Sequence, residues 1–209
     1  MPVLRMGEHW LFFTMNYYQR SRAYYREICL SGVDDHDGVS DIIKCSGFST
    51  YPEEEYSVII ETIRYFPHQF DVIYDMGCGS GLLLNYIENH IGYPLKLYGV
   101  DFVEESIMLA NKSFPNYSFI CKNVVDYKFP LNLPDKCLIM IDPYHYREDD
   151  FEKLILYYLQ LDINIIIYTY SDVLSGLSYK TIFDFELFKK HKASFCIINN
   201  SINTAILTT

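Results

Sequence analysis

The sequence is poor in positive charge and has no long apolar run. Its 17 Lys and Arg residues are outnumbered by 27 Asp and Glu residues, so the net charge is −10 at pH 7. Nucleic-acid affinity comes largely from Lys and Arg contacts with phosphate, and this balance therefore disfavours a nucleic-acid partner. No segment approaches the ~20 apolar residues that cross a bilayer, so we expect no membrane partner and a cytoplasmic location.

The six cysteines show neither a disulfide framework nor a metal-binding pattern. Even the closest, such as Cys29 and Cys45, are 16 positions apart, and the chain contains no C-x-x-C motif. Several cysteines fall in apolar segments, where a free thiol packs as a small apolar group. The pattern predicts a reducing compartment and a functional site without a metal.

One stretch combines a buried strand, an acid and three glycines. The apolar run Val72–Tyr74 is typical of a buried strand, and Asp75 follows it directly. Gly77, Gly79 and Gly81 come next, at alternate positions, before apolar residues with helical spacing. Glycine allows a sharp turn and lets a ligand approach the main chain. The stretch therefore predicts a strand, a ligand-binding turn and a helix.

The spacing of these glycines distinguishes a dinucleotide site from a site for a ligand that carries a cation. Dinucleotide sites use G-x-G-x-x-G, but Leu82 occupies the position of the third glycine. Asp75 would also place a negative charge beside a pyrophosphate, whereas it suits a ligand that carries a cation. A nicotinamide-dependent enzyme is therefore the weaker alternative.

From residue 70 onward, strand-like and helical segments alternate. This alternation predicts a parallel sheet covered by helices on both faces. The tail instead predicts an antiparallel hairpin formed by Ala193–Asn199 and Asn203–Thr208. Periodic apolar residues predict two upstream helices, over 8–30 and Glu53–Phe66. The strands predicted within the alternating region are 72–75, 96–101, 117–121, 137–142 and 163–169.

Three acids stand at the predicted carboxyl ends of strands, namely Asp75, Asp101 and Asp142. In a doubly wound sheet, ligands bind outside these ends, where the strand order reverses. Asp101 lies 20 residues after Gly81, where an acid can accept hydrogen bonds from a ribose diol. The alternative role for Asp101 is to cap the helix that follows.

The order Asp75-x-Gly77-x-Gly79-x-Gly81 resembles motif I of the class I S-adenosylmethionine-dependent methyltransferases, and Leu97–Phe102 looks like motif II. This resemblance covers roughly residues 51–209. It implies an α/β fold with a doubly wound, mostly parallel Rossmann-like sheet and a C-terminal antiparallel hairpin. Residues 1–50 would add N-terminal helices that cover the substrate.

The resemblance also implies S-adenosylmethionine as the cofactor. Phe102 would pack on its adenine, and Asn123 stands where such enzymes carry an acid that meets the adenine amino group. The side-chain oxygen of asparagine can also accept from an amino group. The implied cofactor-binding residues are Asp75, Gly77, Cys78, Gly79, Gly81, Asp101, Phe102, Asn123 and Val124.

The segment Asp142-Pro-Tyr144-His145-Tyr146 follows the fourth predicted strand. Methyltransferases that act on adenine or glutamine amino groups carry D-P-P-Y or N-P-P-Y there, but this chain lacks the second proline. It is more similar to the Asn/Asp-Pro-aromatic variant of small, poorly characterised bacterial members. We expect Asp142 to position an acceptor, His145 to accept a proton, and Tyr144 to face the substrate.

These features predict methyl transfer to an unidentified small-molecule or protein acceptor. The alternative is a non-catalytic module that retains the fold and binds the cofactor or a nucleotide, because fold alone does not establish function. The sequence leaves the acceptor and the oligomeric state open.

Overall fold

Strands and helices alternate along the part of the chain that the structure describes. It is a computed structural model that describes residue 26 and residues 52–130, 132–134, 136–141, 148–161, 163–170, 195–198 and 202–207. The helices are α1 (Pro52–Tyr65), α2 (Leu82–Ile91), α3 (Glu104–Ser113) and α4 (Glu148–Gln160), and a 3-10 turn spans Val124–Asp126. The strands are β1 (Val72–Met76), β2 (Lys96–Asp101), β3 (Ser118–Cys121), β4 (Cys137–Ile141), β5 (Asn164–Tyr170), β6 (Phe195–Ile198) and β7 (Ile202–Leu207).

The described strands form one sheet in the order β3-β2-β1-β4-β5-β7-β6. Strands β1 to β5 pair in parallel, whereas β7 pairs antiparallel with both β5 and β6. The strand order reverses between β1 and β4, which are direct neighbours with Asp75 opposite Met140. The predicted parallel sheet and its C-terminal hairpin are therefore confirmed.

Apolar side chains build a core layer on each face of the sheet. On β1, Ile73 packs in one cluster with residues of α1 and α2, while Val72 and Tyr74 pack in the other with residues of α4. Every residue of β4 is buried, as expected for a central strand covered on both faces. Since both faces are covered, the strand ends are the part of the sheet that a ligand can approach.

Glycines with a left-handed backbone conformation lie at both ends of α2. Gly81 precedes the helix with φ 77°, and Gly92 follows it with φ 87°. A residue with a Cβ atom is strained in this conformation, and glycine is the usual residue just past a helix C-terminus. The glycine pattern therefore determines where this helix begins and ends.

Within residues 1–51 the structure describes Arg26, which is helical and exposed. Its guanidinium group donates to the carboxylate of Glu105 on α3 at 2.5 Å. Exposed ion pairs of this kind contribute at most ~1 kcal/mol. The predicted cap over residues 1–50 otherwise lies outside the described residues and stays a prediction. Among the described helices, none is both long enough and apolar enough to cross a membrane.

Candidate functional site

Asp75 lies near the carboxyl end of β1 and is 1% exposed. The hydroxyl of Tyr168 on β5 donates a hydrogen bond to its Oδ1 atom at 3.1 Å. Burying a carboxylate is unfavourable unless hydrogen bonds replace its hydration, and this bond is one such replacement. Sequence reasoning missed Tyr168, and the only local signal was a tyrosine directly after the apolar run Ile165–Ile167.

The segment Gly77–Gly81, which we call the glycine loop, turns the chain from β1 into α2. Its three glycines have positive φ values of 98°, 52° and 77°. The N–H groups of Gly77 and Cys78 both donate to the Val100 carbonyl, at 2.7 and 3.2 Å, and that of Gly81 donates to the Cys78 carbonyl at 2.9 Å. Most N–H groups of the loop are thus used internally, unlike those of a loop that cradles phosphate.

The outer two glycines of the loop have different surroundings. A Cβ atom built on Gly77 would meet no heavy atom of the described residues within 4 Å, so these residues leave open space directly beside this backbone. A Cβ atom built on Gly81 would lie 2.5 Å from the Phe119 ring. Gly77 therefore leaves room for a ligand, whereas Gly81 leaves room for a neighbouring side chain.

Asp101 connects the glycine loop to the segment after β2. Its Oδ2 atom accepts the N–H of Gly79 at 2.9 Å, and its Oδ1 atom accepts the N–H of Val103 at 2.8 Å. The N-cap residue of α3 is Val103, so the alternative role of Asp101 as the helix cap is wrong. A carboxylate has about four lone-pair sites, which leaves capacity for a ligand hydroxyl.

Burial is the main influence on the charge of Asp101. The side chain is 7% exposed, and loss of hydration raises the pKa of its carboxyl group above the ordinary value of 3.8. The backbone N–H bonds from Val103, Gly79 and Phe102 oppose this rise because they favour the charged form. Hydroxyl groups of a ligand would favour the charged form in the same way.

Cys78 contributes its backbone to the loop and directs its side chain inward. The thiol is buried, and a Cβ atom built on Gly99 of β2 would lie 2.6 Å from the sulfur. Burial, followed by the nearby Asp101 and Asp75 carboxylates, raises the pKa of this thiol well above its ordinary value. The thiol is therefore neutral at physiological pH and is not a nucleophile.

The residues predicted to contact adenine lie at the ends of β2 and β3. Phe102 is half-buried immediately after Asp101, and Val124 is 4% exposed within the core. The Asn123 Oδ1 atom accepts the Val125 N–H at 3.1 Å and so caps the 3-10 turn. That oxygen has a second lone pair, and the role of Asn123 toward adenine stays a prediction.

The predicted catalytic residues Asp142, Tyr144 and His145 lie outside the described residues. The strand that leads to them is described, and its last residue, Ile141, pairs with Met76. Met76 immediately precedes the glycine loop, so β1 and β4 end side by side at the reversal of strand order.

Comparison with known proteins agrees with this architecture. Residues 73–159 match a family model described as a methyltransferase domain. The fold is similar to a SAM-dependent methyltransferase from Leishmania major, with a TM-score of 0.66, 15% identity, and coverage of 92% of this chain and 83% of that one. No curated protein sequence is significantly similar to the chain.

Two further solved structures share the fold. Magnesium protoporphyrin IX methyltransferase from Synechocystis, with bound SAM, has a TM-score of 0.61 and 13% identity, over 93% of this chain and 99% of that one. The N-methyltransferase NodS from Bradyrhizobium japonicum, in complex with S-adenosyl-L-homocysteine, has a TM-score of 0.62 and 13% identity over the same shares.

Residues 73–159 are thus similar to a methyltransferase domain, and the chain shares its fold with S-adenosylmethionine-dependent methyltransferases. These similarities support the predicted family, enzyme class and cofactor. The glycine loop fits that cofactor, since it offers open space beside Gly77 and uses most of its N–H groups internally. S-Adenosylmethionine has a cationic centre and no phosphate, which matches a loop preceded by Asp75.

Proposed function

We propose that this protein transfers the methyl group of S-adenosylmethionine to a small-molecule or protein acceptor. The main support is the Asp101 carboxylate, which holds the glycine loop and the start of α3 in one arrangement through Gly79 and Val103. This arrangement stands at the reversal of strand order, where doubly wound sheets bind their ligands.

The residues near the glycine loop suit different parts of the cofactor. We assign Asp75 to its positively charged portion, Asp101 to the ribose diol and Phe102 to the adenine ring. Asn123 and Val124 would lie beside the adenine amino group. When bound, S-adenosylmethionine supplies a methyl group that is already activated by its sulfonium. The protein's own task is to orient the acceptor and exclude water.

Residues after β4 are the proposed acceptor side of the site. The pairing of Met76 with Ile141 supports this assignment, because it brings the end of β4 beside the start of the glycine loop. In the proposal, Asp142 orients an amine or hydroxyl and Tyr144 faces the substrate. His145 can accept the released proton, because its ordinary pKa of ~6.5 suits base chemistry near neutrality.

We also propose that residues 1–50 form a helical cap and that residues 51–209 form the methyltransferase domain. The Arg26–Glu105 ion pair supports a position of the cap near the start of α3, three residues beyond Phe102. The net charge of −10 makes nucleic acid the least favoured acceptor. The buried cysteines Cys78 and Cys137 form no disulfide, which is consistent with the proposed cytoplasmic location.

Binding and turnover measurements together test the proposal. Calorimetry should detect binding of S-adenosylmethionine and S-adenosylhomocysteine to the folded protein, and the methyl-labelled cofactor should label a component of a cell extract. Binding without labelling across small-molecule and protein fractions would favour the non-catalytic module. Absence of binding of either compound would falsify the proposal, and binding of a nicotinamide nucleotide instead would support the alternative enzyme class.

A further inference from the structure

The contact between Tyr168 and Asp75 joins two distant parts of the sheet. The two residues are 93 positions apart, and β4 lies between their strands. Asp75 is opposite Met140, which in turn is opposite Ile166. Tyr168 is therefore two residues closer to the carboxyl edge than the point on β5 level with Asp75. Its side chain reaches back across β4 to place the hydroxyl 3.1 Å from Oδ1.

Both side chains are on the face of the sheet covered by α1 and α2. Tyr168 belongs to the apolar cluster of that face, together with Ile73 of β1 and Met140 of β4. Asp75 is 1% exposed and Tyr168 is 3% exposed. Because the Tyr168 ring is held in this close packing, its hydrogen bond restricts the orientation of the Asp75 carboxylate.

The bond also acts on the charge of Asp75. Donation to a carboxylate favours the ionised form over the protonated form. One oxygen atom accepts the tyrosine hydroxyl, and the carboxylate has further lone-pair sites for a second donor. The backbone two residues on, at Gly77, borders the open space in which a ligand can approach.

We infer that Tyr168 is a positioning residue that holds the Asp75 carboxylate oriented toward the α-ammonium group of the cofactor. This inference rests on the proposed function and adds a residue that no sequence motif assigns. Tyr168 acts through Asp75 and has no assigned contact with the reacting atoms. A phenylalanine at 168 would keep the ring in the apolar cluster and remove the hydroxyl alone.

The test compares two ligands that differ in one group. Calorimetry gives the Kd of S-adenosylhomocysteine and of its analogue in which hydrogen replaces the α-amino group. In the wild-type protein the amino group should strengthen binding. In Tyr168→Phe this preference should fall about tenfold, since a hydrogen bond to a charged group is worth about that factor or more. The double variant with Asp75→Asn should show no greater loss of preference than Asp75→Asn alone.

Tyr127→Phe is the matched control. The Tyr127 ring is buried on the opposite face of the sheet, with its centroid 6.3 Å from that of Tyr74. This variant should retain the wild-type preference. An equal weakening of both ligands in Tyr168→Phe would indicate a purely structural role and overturn the inference while the proposed function stands. Failure of the wild-type protein to bind S-adenosylhomocysteine would overturn both.

Discussion

The Phe119 ring occupies the space in which a side chain at Gly81 would have to lie. A Cβ atom on Gly81 would be 2.5 Å from one ring carbon of Phe119 and 2.7 Å from another. The third glycine of the motif is therefore required for packing between the start of α2 and β3. This requirement is independent of any ligand, and it distinguishes Gly81 from Gly77.

Gly81→Ala should destabilise the fold even without a ligand. The left-handed backbone at φ 77° costs roughly 1–2 kcal/mol for a residue with a Cβ atom, and the clash with Phe119 adds to it. We expect a loss of at least ~2 kcal/mol in the free energy of unfolding, measured with urea. Adding Phe119→Leu should recover part of that loss. A variant as stable as the wild type would contradict the packing role.

Gly77→Ala should weaken cofactor binding more than it weakens the fold. The added methyl group meets no atom of the described residues within 4 Å and enters the open space that they leave beside the loop. We expect the Kd of S-adenosylhomocysteine to rise by at least about tenfold, because the ligand needs close approach to this backbone. Calorimetry on the folded variant measures the change.

Gly92→Ala is the control for the backbone strain at Gly77. Gly92 has a similar φ of 87°, and a Cβ atom built on it likewise meets no heavy atom of the described part of the chain within 4 Å. It lies at the other end of α2. The two variants should therefore lose similar stability, and Gly92→Ala should bind like the wild type. Equal affinities for the two variants would remove Gly77 from the site.

The order of the elements was predictable because it depends on local patterns. Cys137–Ile141 is apolar throughout, as a strand buried on both faces must be, and the predicted strand differed by one residue. The contacts within the site depend on tertiary structure. Nothing local indicates that Tyr168 reaches across β4 to Asp75, or that Phe119 excludes a side chain at Gly81. The identity of the motif residues was therefore accessible from sequence, but the division of roles among them was not.

Tyr158→Phe should stabilise the protein. The Tyr158 hydroxyl on α4 is fully buried, and it has no hydrogen-bond partner in the structure as described. An unsatisfied buried polar group costs about 1–3 kcal/mol, so its removal should raise the free energy of unfolding by ~1 kcal/mol. Urea denaturation measures the gain. Tyr127→Phe, which removes a hydroxyl beside Tyr74 in the same cluster, should give no such gain. A loss in both variants would show that the Tyr158 hydroxyl has a favourable partner.

Asp101→Asn should change how both stability and binding depend on pH. Burial raises the pKa of the folded Asp101 above 3.8, so between these two values the folded state holds more protons than the unfolded state. Stability from this group is then fully present below pH 3.8 and is lost as pH rises through the folded pKa. The difference in unfolding free energy between Asp101→Asn and the wild type should therefore shift in favour of the variant across that interval.

Cofactor binding should respond to pH in the opposite direction. The ribose diol donates to the ionised carboxylate, so wild-type affinity for S-adenosylhomocysteine should rise with pH through the same interval. At neutral pH, Asp101→Asn should bind more weakly by ~1–3 kcal/mol, the range for hydrogen bonds to a charged group. The variant should also lose the part of the pH dependence that belongs to this carboxyl group. Calorimetry across the acidic range, on protein shown to be folded at each pH, measures both effects. Unchanged affinity at neutral pH would restrict Asp101 to its bonds with Gly79 and Val103 and leave the ribose without its predicted acceptor.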